Sequence, residues 1–151
     1  MRVDRLADGL WRWTAPHPHR SPERAAEDDL PAAAGSLYVE GDDAVVLVDP
    51  LAPADGTPAA RRFWEALDAD VARTGLPVHV VLTSGRHARS ADRVAARYRG
   101  ACIWAPADAV GPIEAAVDRR FGDGHALPAG LVAFSPGVEG VWESLLLLPR
   151  H

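Results

Sequence analysis

The chain of 151 residues contains no Lys, no Asn and no Gln, and all 16 of its basic residues are Arg. These absences remove whole chemistries. A Walker-type phosphate loop and a Schiff-base enzyme each need a Lys, and a Cys-His-Asn protease needs an Asn. Cys102 is the single cysteine, which leaves neither a disulfide framework nor a zinc finger. Long apolar runs are missing too: stretches such as Ala44 to Val48 and Leu145 to Leu148 are far too short to cross a bilayer. The first residues, MRVDRLADGLWRW, carry charges at Arg2, Asp4 and Arg5 and no apolar stretch of the kind a secretion signal uses. A cytoplasmic location without membrane contact is therefore expected. Twenty-one acidic against 16 basic residues give a net charge of -5, and no Arg cluster is long enough to track a phosphate backbone. No nucleic-acid partner is expected.

What is present suits one globular unit. A hydrophobic fraction of 48% is ample for a core, and the length matches a single domain over residues 1–151. Gly9 to Trp13 reads as a short strand with alternating bulky residues. Thr14 to Gly35 (residues 14–35) reads as a long irregular loop, with Pro16, Pro18, Pro22 and Pro31 and mixed charges from Glu23 to Asp29. Such a loop is either a lid or a solvated surface excursion. Ser36 to Glu40 and Ala44 to Val48 form a hairpin around Gly41-Asp42-Asp43, because Gly and Asp tolerate the turn while Val and Tyr favour the pleat. Asp49-Pro50 stops the second strand.

Thr57-Pro58 starts a helix, with Thr as the cap and Pro in the first helical position. Phe63, Leu67 and Val71 recur every four residues and give it one buried stripe, and Gly75 ends it. Val78 to Thr83 is an almost continuous apolar strand, covered on both faces. A second helix is predicted over Ser90 to Tyr98, a strand over Ala101 to Ala105, a helix over Pro112 to Arg120, and a turn over Gly122 to Gly124. Leu131 to Phe134 and Val141 to Leu148 are the last two strands. The order implies an α/β fold, a mixed sheet with helices packed on it.

The loop T-S-G-R-H-A-R-S at 83–90 is the most informative place for chemistry. Ligands of open α/β sheets gather at the carboxyl ends of strands. Gly85 permits close backbone approach, Arg86 and Arg89 bring charge, and His87 brings a titratable imidazole. Ser84, Gly85, Arg86, His87, Arg89 and Ser90 together make a candidate site for a small anion at a helix start. The plain alternative is a capped helix with solvated arginines. His17-Pro18-His19 points its imidazoles to opposite sides if extended. His79 lies inside an apolar strand and His125 in a turn. The five tryptophans are scattered, as core and pocket walls are. Ser84, His87 and Asp49 are triad residue types, but the chain has no G-x-S-x-G elbow, and Ser84 and His87 share one short loop.

The ordered set V-L-V-D-P at 46–50, V-V-L-T at 80–83, D-G-L-W at 8–11, G-S-L-Y-V-E-G at 35–41 and L-P-A-G-L-V-A-F-S-P-G at 127–137 resembles the metallo-β-lactamase-fold hydrolase superfamily. The resemblance covers most of the chain and implies the N-terminal portion of an αββα sandwich. It implies a hydrolase lineage acting on esters, amides or thioesters, with Asp49 beside a metal centre held by a T-H-x-H-x-D-H motif. The metal-ligand motif is degraded. Counted from Thr83, its histidines fall on Ser84, Arg86 and Arg89 and its Asp on Ala88. The following P-G-H histidine falls on Val138. The loop is similar to a divergent branch reading T-x-x-W-H-x-R-S, with Arg86 in place of the Trp.

Arg86 and Arg89 cannot ligate a divalent ion and would repel it. Asp49 and His87 offer two ligands, and a third would have to come from His17, His19 or His125, short of the three a catalytic zinc usually takes. No metal site and no cofactor are expected, with zinc at low occupancy at most. The resulting expectation is a divergent hydrolase-like protein with Asp49 and His87 as the candidate catalytic residues. The alternative is a noncatalytic domain binding a small anionic molecule over Arg86, His87 and Arg89. The apolar run Leu145 to Leu148 wants cover on both faces, and a homo-oligomer is the expected source.

Overall fold

The computed structural model describes residues 1–18, 31–138 and 142–148. A seven-stranded sheet runs in chain order, β1 (Arg2–Ala7), β2 (Leu10–Pro16), β3 (Ala33–Glu40), β4 (Val45–Val48), β5 (Val78–Val81), β6 (Cys102–Pro106) and β7 (Arg119–Phe121). The first four strands pair antiparallel and the last four parallel, so β4 is the change-over strand. Helices α1 (Pro58–Thr74) and α2 (Ala91–Arg97) supply the crossovers from β4 to β5 and from β5 to β6, while β6 reaches β7 through residues 107–118 without a helix. A two-stranded antiparallel sheet, β8 (Val132–Phe134) with β9 (Leu145–Leu147), completes the fold.

Side-chain alternation sorts the sheet's two faces. Val45, Leu47, Val78, Val80 and Ile103 join Phe63, Leu67 and Val94 of the helices in one core. Val46, Val48, Val81 and Trp104 point the other way, into a second core with Leu131 and Ala133. Both faces of β4 are thus buried, as its unbroken Val-Val-Leu-Val run requires. Helix α1 has the expected ends: the Thr57 hydroxyl accepts from the Ala60 amide at 3.1 Å, and Gly75 takes the left-handed conformation at φ 65°.

Three expectations need correction. Residues 112–118 form no helix; Ile113, Ala115 and Val117 are alternately half-buried against the helix-side core, a period of two rather than 3.6. Their amides are also spent elsewhere: Ala116 donates to Asp92 Oδ1 at 3.0 Å and Asp118 to the Ile103 carbonyl at 2.9 Å. The loop of residues 14–35 is shorter at both ends, because Thr14, Ala15 and Pro16 pair with Gly35, Ala34 and Ala33. Residues 19–30 of the remainder lie outside the described residues, as does Val141. The last strand is confined to Leu145–Leu147 and is not covered on both faces within the chain: Leu146 packs on the second core while Leu145 and Leu147 are 55% and 60% exposed. The edge strand β1, paired to β2 through a turn at Gly9, carries three charges in six residues and gives little apolar signal in the sequence. No helix among the described residues is long and apolar enough to cross a membrane.

Candidate functional site

Parallel register between β4 and β5 places Val48 beside Val81, so the residues that follow, Asp49 and Thr83, meet at the carboxyl ends of neighbouring strands. The Asp49 amide donates to the Val81 carbonyl at 3.0 Å, and Asp49 itself sits at φ 46°, a left-handed conformation that Asp tolerates better than most residues. Its carboxylate turns back across the strand pair. Oδ1 accepts from the Thr83 amide at 2.8 Å, and Oδ2 accepts from the Thr83 hydroxyl at 2.5 Å. Oδ2 is also 2.9 Å from Nδ1 of His87, which the short 3₁₀ turn Gly85–His87 swings over the site. On the far side of the ring, Nε2 lies 3.7 Å from Oε1 of Glu143. The imidazole therefore stands between two carboxylates, one in hydrogen-bond contact and one just beyond it.

The remaining loop residues have definite partners. The Ser84 hydroxyl accepts from the Arg86 amide at 3.4 Å, and the Ser90 hydroxyl accepts from the Ala52 amide at 3.0 Å. Gly85 is buried, and a Cβ there would lie 3.3 Å from both Ala109 Cβ and Ile113 Cγ1. Its lack of a side chain serves packing of residues 109–113 on the turn. Arg86 is exposed, its guanidinium 5.6 Å from the centre of the Trp142 ring. Arg89 lies at φ 42°, with Nη1 2.9 Å from the Gly35 carbonyl and 3.2 Å from the Asp49 carbonyl. Burial lowers the Arg89 pKa from its ordinary value, against the pull of Asp49 and Glu143. Arg86 and Arg89 share the lining of a cavity of ≈ 370 Å³ with Gly85, Ala88, Pro112, Glu114 and Pro18. Helix α2, only seven residues long, begins at Ala91.

A second cavity, of ≈ 280 Å³, is lined by Arg12, Gly35, Ser36, Leu37, Val48, Asp49 and Thr83. The Ser36 hydroxyl at its wall is engaged, donating to the Asp49 carbonyl at 2.7 Å and accepting from the Leu51 amide at 3.1 Å.

Sequence reasoning had named Asp49 and His87, and the fold brings them together. Thr83, Glu143 and Arg12 were missed as site residues. Thr83 opens the 83–90 loop in the sequence but carries no signal there of a contact to Asp49, and no spacing rule connects Arg12 or Glu143 to Asp49. Two other histidines have partners elsewhere. His79, on central strand β5, takes Trp104 Nε1 at 3.3 Å, and His125 packs its ring 6.0 Å from that of Trp104. His19 and His151 lie outside the described residues.

In structure, the chain is similar over 99% of its length to the metallo-β-lactamase FIM-1 from Pseudomonas aeruginosa in its mono-zinc form, at TM-score 0.62 and 20% identity, spanning 65% of that chain. It is similar to DIM-1 metallo-β-lactamase at TM-score 0.63 and 14% identity, spanning 65% of it. A metallo-β-lactamase from Pontibacter korlensis gives TM-score 0.62 and 16% identity, with 67% of that chain spanned. The chain thus has the metallo-β-lactamase fold and spans about two thirds of the length of these structures. No protein-family model and no curated protein matches the sequence.

A zinc ion, as in the mono-zinc neighbour, does not fit the described residues. Both Asp49 oxygens are already taken by Thr83 and His87, and the Arg89 guanidinium is bonded to the Asp49 carbonyl. Among the described residues no group of three His, Cys, Asp or Glu is placed to hold a metal. A catalytic zinc usually needs three such donors, deprotonated and free.

Proposed function

We propose that this chain is a hydrolase-like protein of metallo-β-lactamase fold whose zinc site is degenerate and whose remaining chemistry rests on the Asp49–His87 pair. The observation that carries the reading is the 2.9 Å contact from Asp49 Oδ2 to His87 Nδ1, with the carboxylate fixed by the Thr83 amide and hydroxyl. An ionised carboxylate only accepts, so it selects the tautomer with the proton on Nδ1 and leaves the Nε2 lone pair outward. That is the arrangement in which an Asp orients a His to act as a general base. The His87 side chain is 23% exposed, so Nε2 can be reached by water. Glu143, 3.7 Å from Nε2, stands close enough to share a water with it. In this reading His87 takes a proton from water as it attacks an ester or thioester carbonyl, and Asp49 stabilises the imidazolium that results. The candidate anion residues Ser84, Gly85, Ser90 and Arg89 support the site rather than face the reacting atoms.

The test is hydrolysis of p-nitrophenyl and thioester substrates in excess chelator. Turnover that persists in chelator and falls by roughly 100-fold or more in His87→Ala supports the reading, on the usual size of general-base effects. Turnover that requires added zinc, or that His87→Ala leaves unchanged, overturns it.

A second reading is favoured by one observation, the ≈ 370 Å³ cavity lined by both Arg86 and Arg89. There the chain would be a noncatalytic domain holding a small anion. Inorganic phosphate should then raise the melting temperature, and Arg86→Ala should remove the effect; an unchanged shift counts against it.

A further inference from the structure

We propose that Arg12 anchors the carboxylate of a small apolar carboxylic acid, or of a substrate with such an end, in the ≈ 280 Å³ cavity beside Asp49 and Thr83. The inference rests on the reading of this end of the sheet as the functional site and adds the class of molecule that it takes.

Three arginines surround the site, and their guanidinium groups are differently employed. Arg89 has Nη1 committed to the carbonyls of Gly35 and Asp49. Arg86 lies over Trp142 and lines the other cavity. Arg12 is exposed, lines the cavity next to Asp49, and its guanidinium makes no hydrogen bond or ion pair with any described residue. The strand places it there. Trp11 and Trp13 turn toward the helix side of the sheet, so Arg12 between them turns to the opposite face, beside Leu37, its partner in register.

Gly35 makes the room. A Cβ at residue 35 would lie 3.5 Å from Arg12 Nε and 3.7 Å from Nη2, so the guanidinium lies across a strand position with no side chain of its own. Around it, the polar groups of the cavity are already satisfied. The Ser36 hydroxyl is held between the Asp49 carbonyl and the Leu51 amide, and the Asp49 carboxylate is held by Thr83 and His87. The donor left over is Arg12, and the walls beside it are Leu37 and Val48. A ligand must therefore bring an acceptor to the guanidinium and an apolar body to the walls. A carboxylate matches the planar fork in two parallel hydrogen bonds. The cavity is just under the ~300 Å³ at which ligand clefts begin, so it takes a small molecule or one end of a larger one. Such an anchor would leave the distal part of the ligand near Asp49 and Thr83, which line the same cavity.

The experiment titrates the protein with benzoate, following heat and the Thr83 amide resonance, with benzyl alcohol as the neutral isostere. Saturable benzoate binding is expected, with benzyl alcohol at least tenfold weaker. Arg12→Ala should weaken benzoate at least tenfold, and Arg86→Ala should leave it unchanged. Leu37→Trp, which fills the cavity and keeps Arg12, should abolish binding and keeps the inference falsifiable if Arg12→Ala fails to fold. Equal binding by Arg12→Ala, loss on Arg86→Ala instead, benzyl alcohol as tight as benzoate, or no saturable binding at millimolar benzoate each overturn the proposal. Binding is read without turnover. Absence of hydrolysis with Arg12-dependent binding overturns the hydrolase reading alone, whereas hydrolysis without benzoate binding overturns the anchor alone.

Discussion

Oδ2 of Asp49 and Nδ1 of His87 lie 2.9 Å apart although 38 residues separate them in the chain. The contact exists because β4 and β5 end side by side, and because the turn after β5 folds His87 back over the strand ends. Asp49 is a keystone of this end of the sheet as well as a candidate catalytic group.

Its removal should therefore cost stability, in a graded way. Asp49→Ala loses the acceptor for the Thr83 amide and hydroxyl and puts Ala at φ 46°. Hydrogen bonds to a charged group are worth about 1.5–3 kcal/mol and the left-handed conformation costs about 1–2 kcal/mol, so a loss of roughly 2.5–5 kcal/mol is expected. Asp49→Asn keeps an amide acceptor and the tolerance for positive φ, and should lose about 1 kcal/mol. Urea melts of the two variants decide it; equal losses would show that the backbone conformation contributes nothing.

Purified native protein should carry no stoichiometric zinc. The ligand positions of the metal motif are occupied by Ser84, Arg86, Ala88 and Arg89, and the Asp49 oxygens are engaged. Elemental analysis is the measurement. One or two zinc ions per chain, removable by chelator with loss of fold or activity, would contradict this and make His87 and Asp49 the first ligands to mutate.

Stability should fall on mild acidification, through His79. Burial lowers its pKa from the ordinary 6.5, and Nδ1 accepts from Trp104 Nε1, which requires that nitrogen to be unprotonated. A base whose folded pKa is lowered binds more protons when unfolded, so stability rises with pH. The loss therefore begins as pH falls through 6.5 and continues until the folded-state value is reached. Melting temperatures between pH 8 and pH 5 should show this decline, and His79→Phe should flatten it. An unchanged slope in that variant would refute the assignment.

Leu145 and Leu147 point away from the second core, beside the 52% exposed Phe134 to which Leu145 is paired. We propose that this apolar face meets a second copy of the chain, since each Leu gains roughly 1.5–3 kcal/mol from full burial. Light scattering should give a mass above 16.1 kDa, and Leu145→Glu with Leu147→Glu should reduce it to the monomer. A monomer of the unaltered chain at high concentration would dismiss the idea.

Where a few neighbouring residues carry the signal, the sequence alone determined the structure. The hairpin about Gly41-Asp42-Asp43, the Thr57 and Gly75 ends of α1 and the inward Phe63 and Leu67 all follow from turn chemistry, capping and periodicity within a span of about ten residues. The ordered motifs at 35–41, 46–50 and 80–83 carried the metallo-β-lactamase fold; the motif at 46–50 singled out Asp49, and the loop at 83–90 singled out His87. Residues 112–118 were misread because Pro followed by mixed apolar and charged residues satisfies a helix pattern, while the competing partners, Asp92 and β6, are distant in sequence. Only tertiary structure decided that Thr83 clamps Asp49, that Arg89 is spent on backbone carbonyls, and that Arg12 opens onto a cavity over Gly35. Each of those depends on strand register and on which face a side chain takes, and pairing between strands is set by the whole sheet rather than by any local run of residues.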